Sequence, residues 1–346
     1  MAPVLNALGQ LVPGLRAILR TTVPEAFFRS RLTIAWDYHP AQQDIGCVQD
    51  GPLKIDVPAT WAALTRFHET WDDRLRDECR VIEQVNPDLV LSDISYFALA
   101  AAHRAGRRSV ALASLAWDEI MAVYRQPEHR AHTALIEQMH ACYGLPECLI
   151  RVAPAMPLRA FRNPHDVGPI VEALTPERAR LRQAVGAADH ERLVLVGFGG
   201  ISLTALPYEQ MERMAGYRFL IDGALPKPCL RVHSVQDLDM RFMTVLASAD
   251  IIMTKPGYST IVEAVDKRQP VVYVRRYNFG DEQSIVDYLH RHGHGAELSL
   301  ADFEQGHWQP ALERAATPTS PPVPPPSPGT VPAANICAEL LMNAHA

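Results

Sequence analysis

Short apolar runs alternate with segments of helical spacing along most of the chain. In the first half, residues 88–93 form an apolar run, residues 95–106 have helical spacing and end at Gly106, and residues 109–114 form the next apolar run. A strand, a helix and a second strand in this order make a βαβ unit, whose strands are parallel. The pattern predicts an α/β fold with a mainly parallel sheet.

The second half repeats this alternation, beginning with a predicted strand over residues 192–198. The later predicted strands are 217–222, 250–254 and 270–275, and the predicted helices are 207–215, 237–249, 259–268 and 281–292. Two α/β halves of similar size predict two facing, doubly wound, Rossmann-like domains with a cleft between them.

Residues 59–85 have helical spacing and one stripe of large apolar side chains. Its members are Trp61, Leu64, Phe67, Trp71 and Leu75. Amphipathic helices that pack on a core have this pattern, so we interpret the stripe as core and not as a cofactor site.

Proline-rich segments predict the domain boundaries. Prolines without any periodicity over 150–171 indicate a crossing between domains. Eight prolines over 317–334 predict a polyproline-type linker, although Pro322 and Pro325 also satisfy the partner-binding pattern P-x-x-P. The predicted divisions are an N-terminal domain (1–165), a C-terminal domain (166–316), a linker (317–332) and a terminal helix (333–346).

Composition excludes several classes of protein. The net charge of −6 over 346 residues gives no support to nucleic-acid binding, which needs a concentrated basic face. No apolar stretch approaches the roughly 18–20 residues that span a bilayer, and the first twenty residues do not have the pattern of a secretory signal. The six cysteines form no C-x-x-C pair. We therefore expect a cytoplasmic protein with reduced, structural thiols.

The strongest candidate for binding chemistry is the junction between the strand 250–254 and the helix 259–268. A helix start offers unpaired N–H groups and the positive end of the dipole, which suit a phosphate. Gly257 permits close approach of a ligand to the backbone, and Glu263 can accept two hydrogen bonds from ribose hydroxyls. Alternatively, Ser259 caps the helix and Glu263 has a first-turn capping role. The local pattern leaves both interpretations open.

A glycine-rich turn follows the strand that begins the second half. The sequence Val-Gly-Phe-Gly-Gly over 196–200 suits a phosphate or a sugar. It lacks the third glycine of the dinucleotide-binding fingerprint and the Gly-Lys of a P-loop, so alone it is a weak signal.

A charged loop over 275–283 follows the next strand. Arg275 and Arg276 can offset phosphate charge. Asp281, Glu282 and Gln283 can bind sugar hydroxyls, or the two acids are simply favourable charges at a helix start.

The histidines at 290, 292 and 294 do not have the spacing of a zinc site, and no nearby cysteine completes one. The end of a helix followed by a turn explains them, so we predict no metal site.

Taken together, these segments resemble the donor-binding half of GT-B glycosyltransferases. The resemblance rests on Gly-Tyr-Ser-Thr-Ile-Val-Glu-Ala over 257–264, Pro-Val-Val-Tyr-Val-Arg-Arg over 270–276, and Glu-Gln at 282–283. Residues from about 5 to 345 are also similar to the glycosyltransferase-like N-terminal region of plant L-arabinokinases. The stretches that carry this second similarity are Ser92-Asp93, 107–110, Trp117-Asp118 with Tyr124, Met156-Pro157 with 160–162, 198–200, Lys255 with Gly257-Tyr258, and Trp308-x-Pro310 with 312–315.

The resemblance implies a nucleotide-sugar donor held by the C-terminal domain and an unknown hydroxyl acceptor. It implies that Glu263 binds the ribose, that the 257–260 turn binds the diphosphate, and that Glu282 and Gln283 lie near the sugar. The donor-binding residues it implies are Gly199, Gly200, Lys255, Gly257, Tyr258, Ser259, Thr260, Glu263, Arg275, Glu282 and Gln283. The nucleotide sugar is a substrate, so we expect no cofactor.

The chain departs from the family at its start. The family opens with a strand and a Gly/His-rich loop that often supplies the catalytic base, whereas Ala2-Pro3-Val4-Leu5 matches the helix after that loop. We therefore expect the first strand to be missing, through a start codon placed too late or in a degraded homologue. The remaining candidates for the base are Asp93 and Asp118, although Asp93 alternatively caps the following helix.

Two other functions fit the same fold. A non-catalytic nucleotide-sugar-binding or regulatory module would explain the missing loop, and a nucleotide-sugar epimerase would use the same two-domain scaffold. The sequence has no sugar-kinase half, so arabinose phosphorylation is not supported.

Overall fold

The computed structural model describes residues 1–126, 128–199, 206–317 and 321–342, and the chain divides into two compact units. Unit 1 comprises Met1–Val48, Asp56–Ile170 and Pro326–Ala346, and unit 2 comprises Gln49–Ile55 and Val171–Pro325. The division after Ile170 lies a few residues beyond the boundary at 165 that the sequence predicts.

Unit 1 alternates strands and helices and ends with a helix from the far end of the chain. Its elements are α1 Ala2–Leu11, β1 Arg16–Leu19, α2 Glu25–Arg29, β2 Ala35–Tyr38, α3 Val57–Glu69, α4 Trp71–Val85, β3 Val90–Asp93, α5 Tyr96–Arg104, β4 Ser109–Ala113, α6 Trp117–Val123, α7 Arg130–Tyr143, β5 Cys148–Val152, β6 Pro164–Val167 and α15 Thr330–Met342.

Unit 2 has the same alternation. Its elements are α8 Arg178–Ala184, β7 Arg192–Val196, α9 Tyr208–Arg213, β8 Tyr217–Ile221, β9 Val232–Ser234, a 3₁₀ turn Val235–Asp237, α10 Phe242–Ser248, β10 Ile251–Thr254, α11 Tyr258–Asp266, β11 Val271–Tyr273, α12 Glu282–His292, β12 Gly295–Glu297, α13 Leu300–Gln305 and α14 Gln309–Ala316. All named strands pair in parallel, which confirms the predicted α/β class.

The parallel sheet of unit 1 is interrupted. Strands β3, β4, β5 and β6 pair in that order, whereas β1 and β2 form a separate two-stranded sheet. Among the described residues, no strand pairs with both β1 and β3 to join these two sheets. The apolar side chains of Ile18 on β1 and Leu91 on β3 are only half-buried, because each strand has an open edge.

The sheet of unit 2 has the order β12-β11-β10-β7-β8-β9. Leu193 and Leu195 of β7 pack in one apolar cluster with α11 and α12, and Val194 and Val196 pack in another with α14. Side chains of β7 alternate between two covered faces, so the sheet is doubly wound.

Two local predictions need correction. The apolar stripe over 59–85 belongs to two helices, because the chain turns at Thr70, where φ is −108° and ψ is 21°. The range 150–171 was predicted to be an aperiodic crossing, yet it contains most of β5 and all of β6. Strand β6 begins with Pro164 at the sheet edge, a position that tolerates proline.

No helix within the described ranges has the length and apolar content needed to cross a membrane. Within the same ranges no disulfide joins any of the cysteines.

Candidate functional site

The three segments that carry the chemical signals follow three neighbouring strands of unit 2. Residues 197–199 follow β7, residues 255–257 follow β10, and residues 275–283 follow β11. Carboxyl ends of parallel strands lie at one edge of the sheet, and the strand order reverses between β7 and β10. Open α/β sheets bind ligands at such a reversal.

The helix after β10 begins without a side-chain cap. Gly257 is the N-cap residue, with φ −115° and ψ 135°, and as a glycine it provides no side-chain cap to α11. Ser259 lies inside the helix and is exposed. The alternative in which Ser259 caps the helix and Glu263 acts in its first turn is therefore wrong. A helix start of this kind suits an anion, because the dipole of α11 has its positive end there.

Glu263 is buried in α11, with 3% of its surface exposed. Its Oε1 accepts a hydrogen bond of 2.6 Å from the backbone N–H of Glu172. Its Oε2 is shielded from solvent and has no partner among the described residues. Burial raises the pKa of Glu263 to about 7, although the N–H of Glu172 acts in the opposite direction. One carboxylate oxygen is therefore held in place and the other is unused.

Lys255 lies between the ends of β7 and β10. Its Nζ donates a hydrogen bond of 2.9 Å to the carbonyl oxygen of Phe198. Gly199 has φ +72°, and a Cβ there would lie 3.7 Å from that Nζ, so the glycine turn and the lysine are adjacent. Burial lowers the pKa of Lys255 to about 8, and the charge of Arg276 acts in the same direction. Gly200, the second predicted glycine, lies outside the described residues.

The loop after β11 is dominated by a buried ion pair. Glu282 is 1% exposed; its Oε1 accepts from Arg276 Nε at 2.5 Å and its Oε2 from the Arg276 backbone N–H at 3.0 Å. This carboxylate thus already has two hydrogen-bond partners. Its predicted contact with a donor sugar is untested and stays a prediction. Gln283 is exposed and accepts from Arg275 Nη2 at 3.0 Å.

Asp281 is a buried acid at the start of α12. It is 6% exposed, and its Oδ1 has no partner among the described residues. Burial raises its pKa to about 7. The sequence predicts Asp281 as a possible partner of sugar hydroxyls, but not its burial, which depends on the tertiary fold.

The two predicted base residues lie in unit 1 and differ in exposure. Asp93 ends β3 and is exposed. It does not cap α5, because Ser95 is the N-cap residue and its Oγ accepts from the N–H of Ala98. Asp118 is buried, and its Oδ2 lies 2.9 Å from Nδ1 of His140, a residue that sequence analysis did not single out.

Two of the late histidines have structural partners. His290 Nε2 lies 2.7 Å from the hydroxyl of Tyr273, and His292 Nδ1 lies 3.0 Å from the carbonyl oxygen of Val323. In the part of the chain that the structure describes, no group of three or more His, Cys, Asp or Glu side chains is placed to hold a metal ion.

Comparison of the chain with known proteins finds a relative by sequence and several by structure. No family model matches it. Over 289 residues it is 30% identical to L-arabinokinase of Arabidopsis thaliana. The aligned residues make up 79% of this chain and 26% of that protein. The chain thus spans about a quarter of that relative's length.

Solved structures resemble the chain over nearly its whole length. The calicheamicin glycosyltransferase CalG4 has a TM-score of 0.61 at 17% identity, covering 99% of this chain and 90% of CalG4. A UDP-glucosyltransferase from Polygonum tinctorium has a TM-score of 0.62 at 12% identity, and the match covers 98% of this chain and 95% of that enzyme. A UDP-glucose:anthocyanidin 3-O-glucosyltransferase in complex with UDP has a TM-score of 0.61 at 13% identity, and the match covers 99% of this chain and 96% of that enzyme. The chain has the GT-B fold.

The GT-B fold gives the two units their architecture, because it consists of two Rossmann-like domains. The predicted α/β class with parallel, Rossmann-like sheets is therefore confirmed. The segments that resemble the donor half of GT-B enzymes all lie in unit 2: 257–264 follows β10, 270–276 contains β11, and 282–283 begins α12.

Proposed function

We propose that the chain transfers a sugar from a nucleotide-diphosphate sugar to a hydroxyl group of an acceptor. The observation that carries this proposal is the junction of β10 and α11. A helix start with a glycine N-cap and a buried carboxylate oxygen that has no partner among the described residues lie on one short helix there. The UDP complex of a glycosyltransferase with the same fold supports it.

In the proposed complex, N–H groups at the start of α11 bind the diphosphate and Glu263 binds the ribose hydroxyls. Lys255 adds positive charge beside Gly199. Groups that hold the diphosphate also stabilise the negative charge that develops on it as the glycosidic bond breaks. The nucleotide sugar enters as a substrate, and the proposal uses neither a cofactor nor a metal ion.

The proposed transfer needs one base. The acceptor oxygen attacks the anomeric carbon, the bond from that carbon to the diphosphate breaks, and the nucleoside diphosphate leaves with the electron pair. The acceptor proton passes to a side chain. We assign this role to Asp93, because its carboxylate is exposed, whereas Asp118 is buried beside His140.

We also propose a cytoplasmic location, as the sequence predicts. Cys142 and Cys148 are buried, and burial raises the pKa of Cys142 to about 11. Thiols of this kind behave as apolar core groups and suit a reducing compartment.

The test is thermal stabilisation by UDP, GDP, dTDP and their sugars. A ligand that binds only the folded state adds about 2.7 kcal/mol of stability at a hundred times its Kd. We expect at least one nucleotide to raise the Tm of the natural chain, and Glu263→Gln to abolish that shift. Asp266→Asn, on the same helix, is the matched control. Nucleotide shifts that persist in Glu263→Gln, or that are absent from the natural chain, would contradict the proposal.

A further inference from the structure

A second set of polar side chains converges at the carboxyl ends of β3 and β4 in unit 1. The loop after β2 passes over these ends. Ser95 Oγ donates a 2.8 Å hydrogen bond to the carbonyl oxygen of Gln43, and Trp117 Nε1 donates one of 3.2 Å to Asp44 Oδ2. The loop therefore brings Gln43 and Asp44 to the edge of the sheet where Asp93 ends β3.

Two buried groups at this edge lack partners among the described residues. The Oε1 and Nε2 atoms of Gln43 are both shielded from solvent and unbonded. Asp118 is 3% exposed; its Oδ2 contacts His140, but its Oδ1 is shielded and unbonded. A buried polar group left without a partner destabilises the folded chain. An amide with both atoms unpaired needs a partner that donates and accepts hydrogen bonds.

The acids at this edge lie close enough to affect one another. Burial raises the pKa of Asp44, and the negative charge of Asp93 adds to the rise. Burial also raises the pKa of Tyr143, and the charges of Asp118 and Asp44 both contribute. The hydroxyl of Tyr143 accepts from the N–H of Trp117 at 3.1 Å. Asp44, Asp93, Asp118 and Tyr143 therefore lie near one another, and the indole of Trp117 beside them is half-buried.

We propose that this edge binds the acceptor and that the acceptor is rich in hydroxyl groups, a sugar or a polyol. The role as acceptor rests on the proposed function. Neighbouring hydroxyls of such a molecule donate to the carboxylates of Asp44 and Asp93 and both accept from and donate to the amide of Gln43. The face of the Trp117 indole offers an apolar surface to the C–H face of a sugar ring. A flat, apolar acceptor would leave the amide of Gln43 unpaired, so this edge disfavours it.

The first experiment measures binding with the full chain. Saturation-transfer NMR is recorded with D-glucose, D-galactose, myo-inositol and 4-nitrophenol, each at the same concentration. We expect a signal from at least one of the three polyols that exceeds that of 4-nitrophenol. Asp44→Asn and Gln43→Ala should each reduce it at least fivefold. Gln42→Ala, which changes the exposed neighbouring residue, should leave it unchanged. Asp44→Asn keeps the shape of the side chain. If Gln43→Ala does not fold, the loss of polyol signal in Asp44→Asn alone tests the proposed site.

The outcome that overturns the proposal is a stronger signal from 4-nitrophenol, no polyol signal, or polyol signals unaffected by both variants. The second experiment separates it from the proposed function. Thermal shifts with UDP, GDP and dTDP should be the same in Asp44→Asn as in the natural chain, since those ligands bind unit 2. If no nucleotide raised the Tm, the proposed nucleotide-sugar reaction would be refuted. The polyol signals would still test whether Gln43 and Asp44 bind a molecule rich in hydroxyl groups.

Discussion

At the scale of the residue, Glu263 is placed at a cost to stability. Burial raises its pKa to about 7, so the folded chain holds this proton more tightly than the unfolded chain, whose carboxyl has an ordinary pKa of 4.5. The buried carboxylate therefore opposes folding at neutral pH. A binding residue that destabilises its own fold is typical of functional sites, where the ligand supplies the missing partner.

The burial of Glu263 predicts how the free energy of unfolding depends on pH. The unfavourable contribution of Glu263 is absent below about pH 4.5, grows as the pH rises to about 7, and is complete above that. Glu263→Gln removes it, while the amide oxygen can still accept from Glu172. Without ligand, we expect Glu263→Gln to gain stability over the natural chain as the pH rises from 5 to 8. The gain at pH 8 is at most about 3 kcal/mol.

Urea unfolding of both proteins at pH 5, 6.5 and 8 checks this prediction. Asp281 titrates in the same range but is present in both proteins, so its effect cancels in the difference. A difference that is constant with pH would show that Glu263 ionises normally in the folded chain.

At the scale of the element, the strands buried on both faces were the easiest to predict. Strands β7, β10 and β11 are nearly continuous apolar runs, as parallel strands covered by helices are. Sequence analysis missed β6 because an edge strand tolerates residues such as Pro164 and Asp166. It also missed the break at Thr70, because the apolar stripe continues across the turn.

The candidate site also has parts that the sequence could predict and parts that it could not. The three loops could be placed at one edge from the order of strands and helices alone, since parallel strands all end there. The pairing of Glu282 with Arg276 could not be predicted, because it depends on which way two side chains turn within one loop. The contact of Asp118 with His140 joins two helices, α6 and α7, whose packing no local pattern specifies.

A buried cluster of charges joins the beginnings of three strands of unit 2. Glu191, just before β7, accepts from Arg218 Nε on β8 at 2.7 Å and from Arg231 Nη1, just before β9, at 2.7 Å. The hydrogen bond from Arg218, with that from the N–H of Ala188, lowers the pKa of Glu191 to about 2. The contribution of this carboxylate to stability is present above about pH 4.5 and is lost as the pH falls towards 2.

We therefore expect Glu191→Gln to lower the free energy of unfolding by on the order of 2 kcal/mol at pH 7, and by less as the pH falls towards 3. Circular dichroism during urea unfolding at several pH values measures this. Glu209→Gln is the control, because its pair with Arg213 is exposed, 3.7 Å long and worth about 0.5 kcal/mol or less. Equal losses in the two variants would show that the cluster is no stronger than a surface ion pair.

At the scale of the whole molecule, two segments that are distant in sequence lie in contact within unit 1. The N–H of Gly329 donates to the carbonyl oxygen of Pro169 at 2.8 Å. A Cβ on Gly168 would lie 1.8 Å from the carbonyl oxygen of Ser327, which is far closer than two such atoms can approach. Only glycine at 168 permits this contact between backbones.

Gly168→Ala is therefore expected to destabilise unit 1 by about 3 kcal/mol or more, since backbone must move to admit the methyl group. Ser327→Ala leaves the backbone carbonyl in place, so its effect should stay within about 0.5 kcal/mol. Differential scanning calorimetry of the two variants measures the contrast. If Gly168→Ala melts at the temperature of the natural chain, the two segments are not in contact.

The return of α15 to unit 1 has a consequence for synthesis on the ribosome. Helix α15 packs against α1, whose Val4 and Leu8 are buried, yet unit 2 is translated between them. At 5–20 residues per second, roughly ten to thirty seconds pass between the emergence of Ile170 and that of α15. Unit 2 can fold in that time, whereas the nascent unit 1 keeps an apolar surface uncovered. Of these two units, the one that emerges earlier is thus completed later, and its uncovered apolar surface is what a chaperone would protect during translation.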